Sequence, residues 1–450
     1  MSNAQNNSDQ IDWNNIFILD ELYPYIDTIT LLEFRIMSKF IYQKLRRIVF
    51  SKVYLIGENI SRYFNSKNLN SKEIKVLENY SGYLGFPYNY FTFEDEIGLG
   101  LINNREYGIS NKLFEEIGEN ASFIKVLEVK SVKECFYYLH STAFTLSNLT
   151  SLKLTICTIP LLSILKIGNH LQNLKKLILK SITFIELNKQ EISVDLVNFP
   201  QSLEYLLIQN TRIERWNYTP KINNLIDPRH PGGPVEVDYF QGIKIPNLKK
   251  LRVGNGNSSN FIRKLLKYNT EIEELIFDDF VTKQAVFEQI SQTKTLTKFK
   301  LLNITPEFPY IAWDTYLPIP ELPAITKLEL GFQYLNFASN PKFCNISKYF
   351  PNLKELTIDL NSLNIEKFDI NNFISKNLGF FNSLDVFRIA DCPDHELNNP
   401  YPINFNWNNF VKTKCLILKL SSLPLSKIDF NVFPDELKEI RKQCKMWKLE

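Results

Sequence analysis

The sequence predicts an α/β solenoid, with a parallel β-sheet on the concave face and helices and loops on the convex face. Three observations predict it. The first is the stretch from Asn352 to Ile365, where Leu353, Leu356, Ile358, Asn361 and Leu363 fall on the pattern L-x-x-L-x-L-x-x-N-x-L. In a leucine-rich repeat of this kind each short strand and its turn make one coil. The leucines form the coil's inner wall, and the Asn side chain can satisfy backbone groups that would otherwise be buried unpaired. The second is recurrence: eleven copies run from Ile124/Leu127/Val129 to Cys415/Leu418/Leu420, with starts spaced 25, 25, 29, 45, 24, 24, 29, 28, 31 and 31 residues apart. The third is length. A single compact core of 450 residues would be unusually large, whereas a solenoid grows by adding coils that touch only their neighbours.

Composition narrows the class. Hydrophobic content of 44% and charged content of 22% are those of a folded chain. A formal charge of +3 argues against a dedicated nucleic-acid binder, while leaving room for a local basic face. The polar start Met1 to Gln10 has no secretory pattern, no apolar run is long enough to span a bilayer, and the six cysteines include no C-x-x-C pair. The expectation is a cytoplasmic or nuclear protein with reduced thiols and no membrane partner.

Residues 1–12 are a polar lead with nothing to bury, expected to be disordered. From Trp13 to Phe50 apolar and basic residues recur at helical spacing. Thr30 and Glu33 make a capping-box start, and Arg46 and Arg47 sit near the negative end of a helix expected to run to about Ile48. Within this segment, Tyr25 to Phe40 resembles the second half of an F-box. Ile26, Leu31, Leu32, Arg35, Ile36, Met37, Ser38 and Lys39 match its apolar helix and its Val-Ser-Arg/Lys step. The opening Leu-Pro of that family is Asn14-Asn15 here, its Trp is Phe40 or Ile41, and Pro24 interrupts the first helix.

The resemblance implies a short all-helical N-terminal module over residues 13–50 that docks on the linker subunit of an SCF-type cullin-RING ubiquitin ligase. Ile26, Leu31, Leu32, Arg35, Ile36, Met37 and Phe40 would meet the linker. The repeats would hold an unknown protein substrate, and ubiquitin transfer would be catalysed by partners. F-box modules often precede leucine-rich repeats, so the two features support one another. On the alternative reading the segment is an amphipathic cap over the first coil, giving a leucine-rich scaffold with no ubiquitin role. A third reading is a binder of acidic or phosphorylated ligands or RNA.

Residues 51–122 read as linker and divergent repeats, residues 123–433 as the repeat array, and residues 434–450 as a C-terminal helical cap. Gly98-Leu-Gly100 lacks the third glycine of a phosphate loop, because Asn103 stands in its place. Inside the array, Phe261 to Leu266 and Val286 to Ile290 have helical spacing, while Pro306 to Pro323 must cross as loops. The longest step contains Tyr218 to Pro246, whose Asp227 to Pro234 segment is too rich in Pro and Gly for regular structure. It is read as a projecting loop, either a neutral insertion or a binding element.

Catalytic constellations are scarce. The four histidines lie in different coils, and no H-E-x-x-H, G-x-S-x-G or P-loop pattern occurs. Cys392 and His395 would be half a zinc site without its second pair. Cys157 and Cys392 occupy the template's Asn position as small structural residues. The expectation is no enzyme, no metal and no cofactor.

What remains is surface chemistry. Residues between the wall leucines face the concave side, because strand side chains alternate. Two such positions per coil give nine basic and four acidic residues, ending at Ile417/Lys419. Lysines there either keep a solvated wall soluble or line a groove for an acidic or phosphorylated protein segment. The candidates are Lys250, Arg252, Lys298 and Lys300, with Tyr205 beside them; Glu274 lies between the two pairs of cations. Nucleic acid is disfavoured, because Tyr205 is the only stacking aromatic at these positions.

Overall fold

The computed structural model describes residues 30, 39–56, 117–118, 120–131, 146–165, 167–187, 198–216, 232–235, 243–254, 259–278, 284–304, 320–332, 346–359, 384–390, 415–419 and 439–442. It opens on helix α1 (Lys39–Val49) and strand β1 (Lys52–Ile56). Four sheet strands follow: β2 (Val126–Lys130), β3 (Ser151–Thr155), β5 (Lys176–Lys180) and β7 (Tyr205–Gln209). Between and after them lie the short strands β4 (Thr158–Pro160), β6 (Thr183–Leu187), β8 (Arg212–Trp216) and β9 (Gly232–Val235). Strand β10 (Lys250–Val253) leads to helix α2 (Ser259–Tyr268), β11 (Glu274–Asp278) to helix α3 (Gln284–Ser291). Strands β12 (Lys298–Ile304), β13 (Lys327–Phe332), β14 (Glu355–Asp359), β15 (Val386–Ala390), β16 (Cys415–Lys419) and β17 (Glu439–Lys442) complete the strand order.

Thirteen strands form one parallel sheet in the order β1-β2-β3-β5-β7-β10-β11-β12-β13-β14-β15-β16-β17. Each is one coil of a parallel β-solenoid built on the leucine-rich spacing. Its wall alternates as the sequence requires: Leu127, Leu152, Leu177, Leu206, Leu251, Leu275, Phe299, Leu328, Leu356 and Phe387 are buried and stack in register. Phe299 meets Phe277, Phe287 and Phe350 at centroid distances of 5.6, 6.4 and 6.4 Å, filling the interior where the coil uses rings instead of leucines.

One backbone device repeats at each step from β1 to β15. The carbonyl of the residue before a strand accepts two successive amides from the next coil: Lys125 accepts from Thr150 and Ser151 at 2.8 and 3.0 Å, Glu204 from Lys249 and Lys250 at 2.9 Å each. A side-chain bracket accompanies it one residue before the first wall leucine. Asn148, Asn173, Asn247 and Asn352 donate Nδ2 to the carbonyls of Ser122, Ser147, Gln201 and Pro323 at 3.0, 3.1, 2.6 and 2.9 Å. Ser202 and Thr295 do the same through Oγ and Oγ1. The expected Asn361 lies outside the described residues. Cys157, at that template position, is buried, with Sγ 3.3 Å from the Thr155 carbonyl and 3.7 Å from that of Val129, as a structural thiol should be.

The chain turns off the sheet at a left-handed corner, with φ of 61°, 56°, 54° and 53° at Ser131, Ile156, Ser181 and Asn210. After three of these corners the apolar period becomes two residues: Cys157/Ile159, Ile182/Phe184 and Thr211/Ile213 are all buried. These segments carry a second sheet, in the order β4-β6-β8-β9. The segment just after each of these corners is a strand, because β-branched and aromatic residues at period two favour a strand over so short a span, and a short helix, Leu161–Leu165, follows β4. Helices α2 and α3 stand where the spacing predicts them, burying Phe261, Ile262, Leu265 and Leu266, and Val286, Phe287 and Ile290. Buried Asn269 joins α2 to the coil before it: Nδ2 donates to the Ile243 and Leu265 carbonyls, and Oδ1 accepts the Ile245 amide at 2.7 Å.

Three sequence expectations are corrected. Residues Gly232–Val235 form β9, antiparallel to β8, so this Pro/Gly-rich segment is not wholly irregular. Pro234 is tolerated because β9 is an edge strand with an interrupted register, where a missing donor costs little. Residues 52–56, in the region read as linker and divergent repeats, are a coil strand paired with β2. Residues 439–442 form β17, paired parallel with β16, in place of a helical cap. Finally, Cys415 pairs with Val386 and Leu416 with Phe387, so the last coil is shifted by two residues. Leu416 and Leu418 take the wall register, and Cys415 and Ile417 replace Ile417 and Lys419 on the open face.

Close contact fixes one glycine: a Cβ on Gly168 would lie 2.6 Å from the Asn198 carbonyl oxygen. Ile156 is the opposite case, a β-branched residue held at a left-handed corner while exposed. Ile156→Asn should therefore raise stability by about 1 kcal/mol, because Asn tolerates this conformation and little packing is lost. Chemical denaturation of the two proteins measures the difference, and a less stable Asn variant would contradict the strain assigned here.

Candidate functional site

The open face of the main sheet collects two stacks of side chains. One runs Lys176, Tyr205, Lys250, Glu274, Lys298, Lys327, Glu355 and Val386; the other runs Ile178, Leu207, Arg252, Ile276, Lys300, Glu329, Thr357 and Arg388. Parallel neighbours lie about 4.8 Å apart, so charges in one stack meet across strands.

They meet as ion pairs. Lys250 Nζ reaches Glu274 at 2.9 Å, Lys300 reaches Glu329 at 2.6 Å and Glu274 at 3.8 Å, and Lys327 reaches Glu355 at 2.5 Å. Earlier in the sheet Lys153 pairs with Glu128 at 2.8 Å. Partly exposed pairs of this kind contribute at most about 1 kcal/mol each, and their main effect is to fix where each ammonium sits.

Arg252 differs from the lysines. Its Nε and Nη2 donate to both Asp278 oxygens at 2.7 and 2.8 Å, and the Asp278 side chain is only 1% exposed. Burial pulls the guanidinium pKa down, but the hydrogen bond and charge of Asp278, with Tyr205, outweigh it and leave the pKa raised. Tyr205 is hydrogen-bonded to Arg252, and its ring lies under Lys176 and Lys250 Nζ at 5.3 and 5.5 Å. Burial raises the Tyr205 phenol above its ordinary value, Arg252 partly offsets that, and Asp278 and Glu274 reinforce it.

A groove of about 350 Å³ opens over β10 to β15. Five cations line it, Lys250, Lys298, Lys300, Lys327 and Arg388, against three carboxylates, Glu274, Glu329 and Glu355, for a net +2. Of the sequence candidates, the structure brings Lys250, Lys298 and Lys300 into this groove. It does not assemble all four predicted cations into a free cluster, because Arg252 is tied to Asp278 and Lys250 and Lys300 to Glu274 and Glu329. Tyr205 stacks beside the groove rather than lining it. Sequence reasoning passed over Thr357 and Arg388 as site residues, although register alignment of the coils puts them side by side.

Ile26, Leu31, Leu32, Arg35, Ile36 and Met37 lie outside the described residues, as do Asp227, His230, Cys392 and His395; Phe40 belongs to α1. The C-terminal half of the N-terminal segment is seated on the first coils. Leu45 and Val49 are buried, Arg46 Nε donates to Asn120 Oδ1 at 2.7 Å, and its guanidinium lies 5.3 Å from the Phe123 ring centre. Helix α1 therefore packs against the first coils. No helix among the described residues is long and apolar enough to cross a membrane.

No family model matches the chain, and no curated protein matches it. Among solved structures, the crystal structure of a TLR13–ssRNA13 complex aligns with 71% of this chain and 52% of that chain, at 14% identity and a TM-score of 0.28. The chain spans about half the length of that neighbour. The assignment of leucine-rich coils here rests on the strand order and register of this chain.

The Arg252–Asp278 pair has a measurable signature. Arg252→Met strands a buried carboxylate and should cost about 3 kcal/mol, the low end for breaking a buried pair because Arg252 is 34% exposed. Adding Asp278→Leu should recover most of that loss. A double variant whose loss equals the sum of the two single ones in urea denaturation would show that the two side chains are uncoupled.

Proposed function

We propose that the chain is a protein-interaction receptor, without reaction chemistry of its own, that holds a segment of another polypeptide along the open face of its sheet. The observation that supports this most is the groove over β10 to β15. It is polar, net positive and floored by strands whose register is fixed on both sides. A rigid scaffold presenting paired and unpaired charges favours recognition, since side chains already held in place lose less entropy on binding.

A finer reading rests on the resemblance of Tyr25 to Phe40 to an F-box. In it the chain is the substrate-recognition subunit of an SCF-type ubiquitin ligase, active in the cytoplasm or nucleus. Helix α1 turns Leu45 and Val49 onto the first coil and leaves Gln43 and Arg47 exposed. Leu31, Leu32 and Ile36 would then meet the linker subunit. The receptor's contribution would be proximity, raising the effective concentration of substrate lysines near a partner's conjugating enzyme.

One experiment addresses both levels. A photo-crosslinking residue placed at Lys327 in the groove, or at Lys267 on α2, is used to capture proteins from cell extract, and the captured sets are compared. Discrete adducts specific to Lys327 are expected, and identical sets from both positions would refute the open face as the recognition surface. In the same extracts the linker and cullin subunits should copurify with the native chain and not with Leu32→Asp/Ile36→Asp. If they fail to copurify with the native chain, the ligase reading falls and the receptor reading stands.

A further inference from the structure

The ion pairs across the groove leave a specific remainder. Among the described residues, Lys298 and Arg388 are exposed cations with no carboxylate partner, and the Thr357 hydroxyl between them makes no hydrogen bond. All three line the same groove. Thr357 and Arg388 are direct register partners on β14 and β15, and Lys298 stands three strands from Arg388 and level with Val386, two residues back along β15, so the two are roughly 16 Å apart at the usual strand spacing and rise. One anionic group held in the groove above β13 and β14 would lie between the two cations.

Resting on the receptor reading, we infer that this trio is a subsite for a phosphorylated side chain, a phosphoserine or phosphothreonine, carried on an extended segment of the partner protein. Three arguments select that chemistry. A phosphate ester carries close to two negative charges and several acceptor oxygens, which matches an ammonium, a hydroxyl and a guanidinium fork. An ordinary carboxylate has no such advantage: Glu274, Glu329 and Glu355 are already held beside the neighbouring lysines, and an incoming monoanion must compete with them. A nucleic-acid backbone is disfavoured by the same carboxylates, because evenly spaced phosphates would bring some of them against Glu329 or Glu355. A peptide presents one dianion, which meets Glu329 and Glu355 only where Lys300 and Lys327 already neutralise them.

The test uses the full chain, immobilised and exposed to a degenerate twelve-residue peptide library with a central phosphoserine or phosphothreonine. The unphosphorylated library and a twelve-nucleotide single-stranded RNA are run in parallel. The native chain should retain phosphorylated over unphosphorylated peptides by about tenfold, the scale of one or two charge-assisted hydrogen bonds. Lys298→Glu/Arg388→Glu should bring the ratio to parity, Arg388→Lys should lower it part of the way, and Lys267→Glu on α2 should leave it unchanged. Matching thermal melts establish that the variants fold. An undiminished preference in the double variant overturns the inference, as does preferential, Arg388-dependent retention of the RNA. Absence of any phosphopeptide preference in the native chain also overturns it; if crosslinks at Lys327 persist in that case, the receptor reading survives with a different ligand.

Discussion

The structure depends on one bifurcated backbone contact, in which the carbonyl just before each strand accepts two consecutive amides from the following coil. It begins with Ser51 accepting from Lys125 and Val126 and continues unbroken to Lys354 accepting from Asp385 and Val386. Buried strands cannot leave such groups unpaired, so the contact fixes how each coil is indexed against the last. A slip of one residue would turn every wall leucine to solvent. The external Asn, Ser and Thr brackets act on the same edge, tying each turn to a carbonyl of the coil before it.

Fixed register turns a linear sequence into columns. Once Lys250, Glu274 and Lys298 stand on adjacent strands, opposite charges fall within reach, and the groove's electrostatics follow from the order of residues down each column. Most of its cations are consumed by that order. The same logic explains why Arg252 belongs to the scaffold: Asp278, at the end of the next strand, is buried and needs a bidentate donor.

The sheet was legible because leucine spacing encodes it directly, and the register of strands β2 through β15 follows from that spacing. The last coil is ambiguous in sequence because Leu416, Leu418 and Leu420 offer the template's L-x-L step in two frames two residues apart. Strand β1 escaped notice because Phe50, Val53 and Leu55 keep the spacing with only one leucine, and β17 because Lys442 stands in a wall register. The second sheet had a signal in the buried alternation of Ile182/Phe184 and Ile213 with Thr211, but it is only two apolar steps long. For the site, the cations were visible from composition. Their partners were not, because Asp278 and Glu329 matter only after the coils are aligned with one another.

The central claim is that each coil is held by its immediate neighbours through this register, and amide hydrogen exchange after Leu275→Ala tests it most directly. Leu275 is fully buried on β11 between Leu251 and Phe299. The account predicts lost protection in β10, β11 and β12, with strands several coils away, such as β3, little changed, as nearest-neighbour coupling requires. Loss confined to β11, or spread evenly over the whole chain, would contradict it.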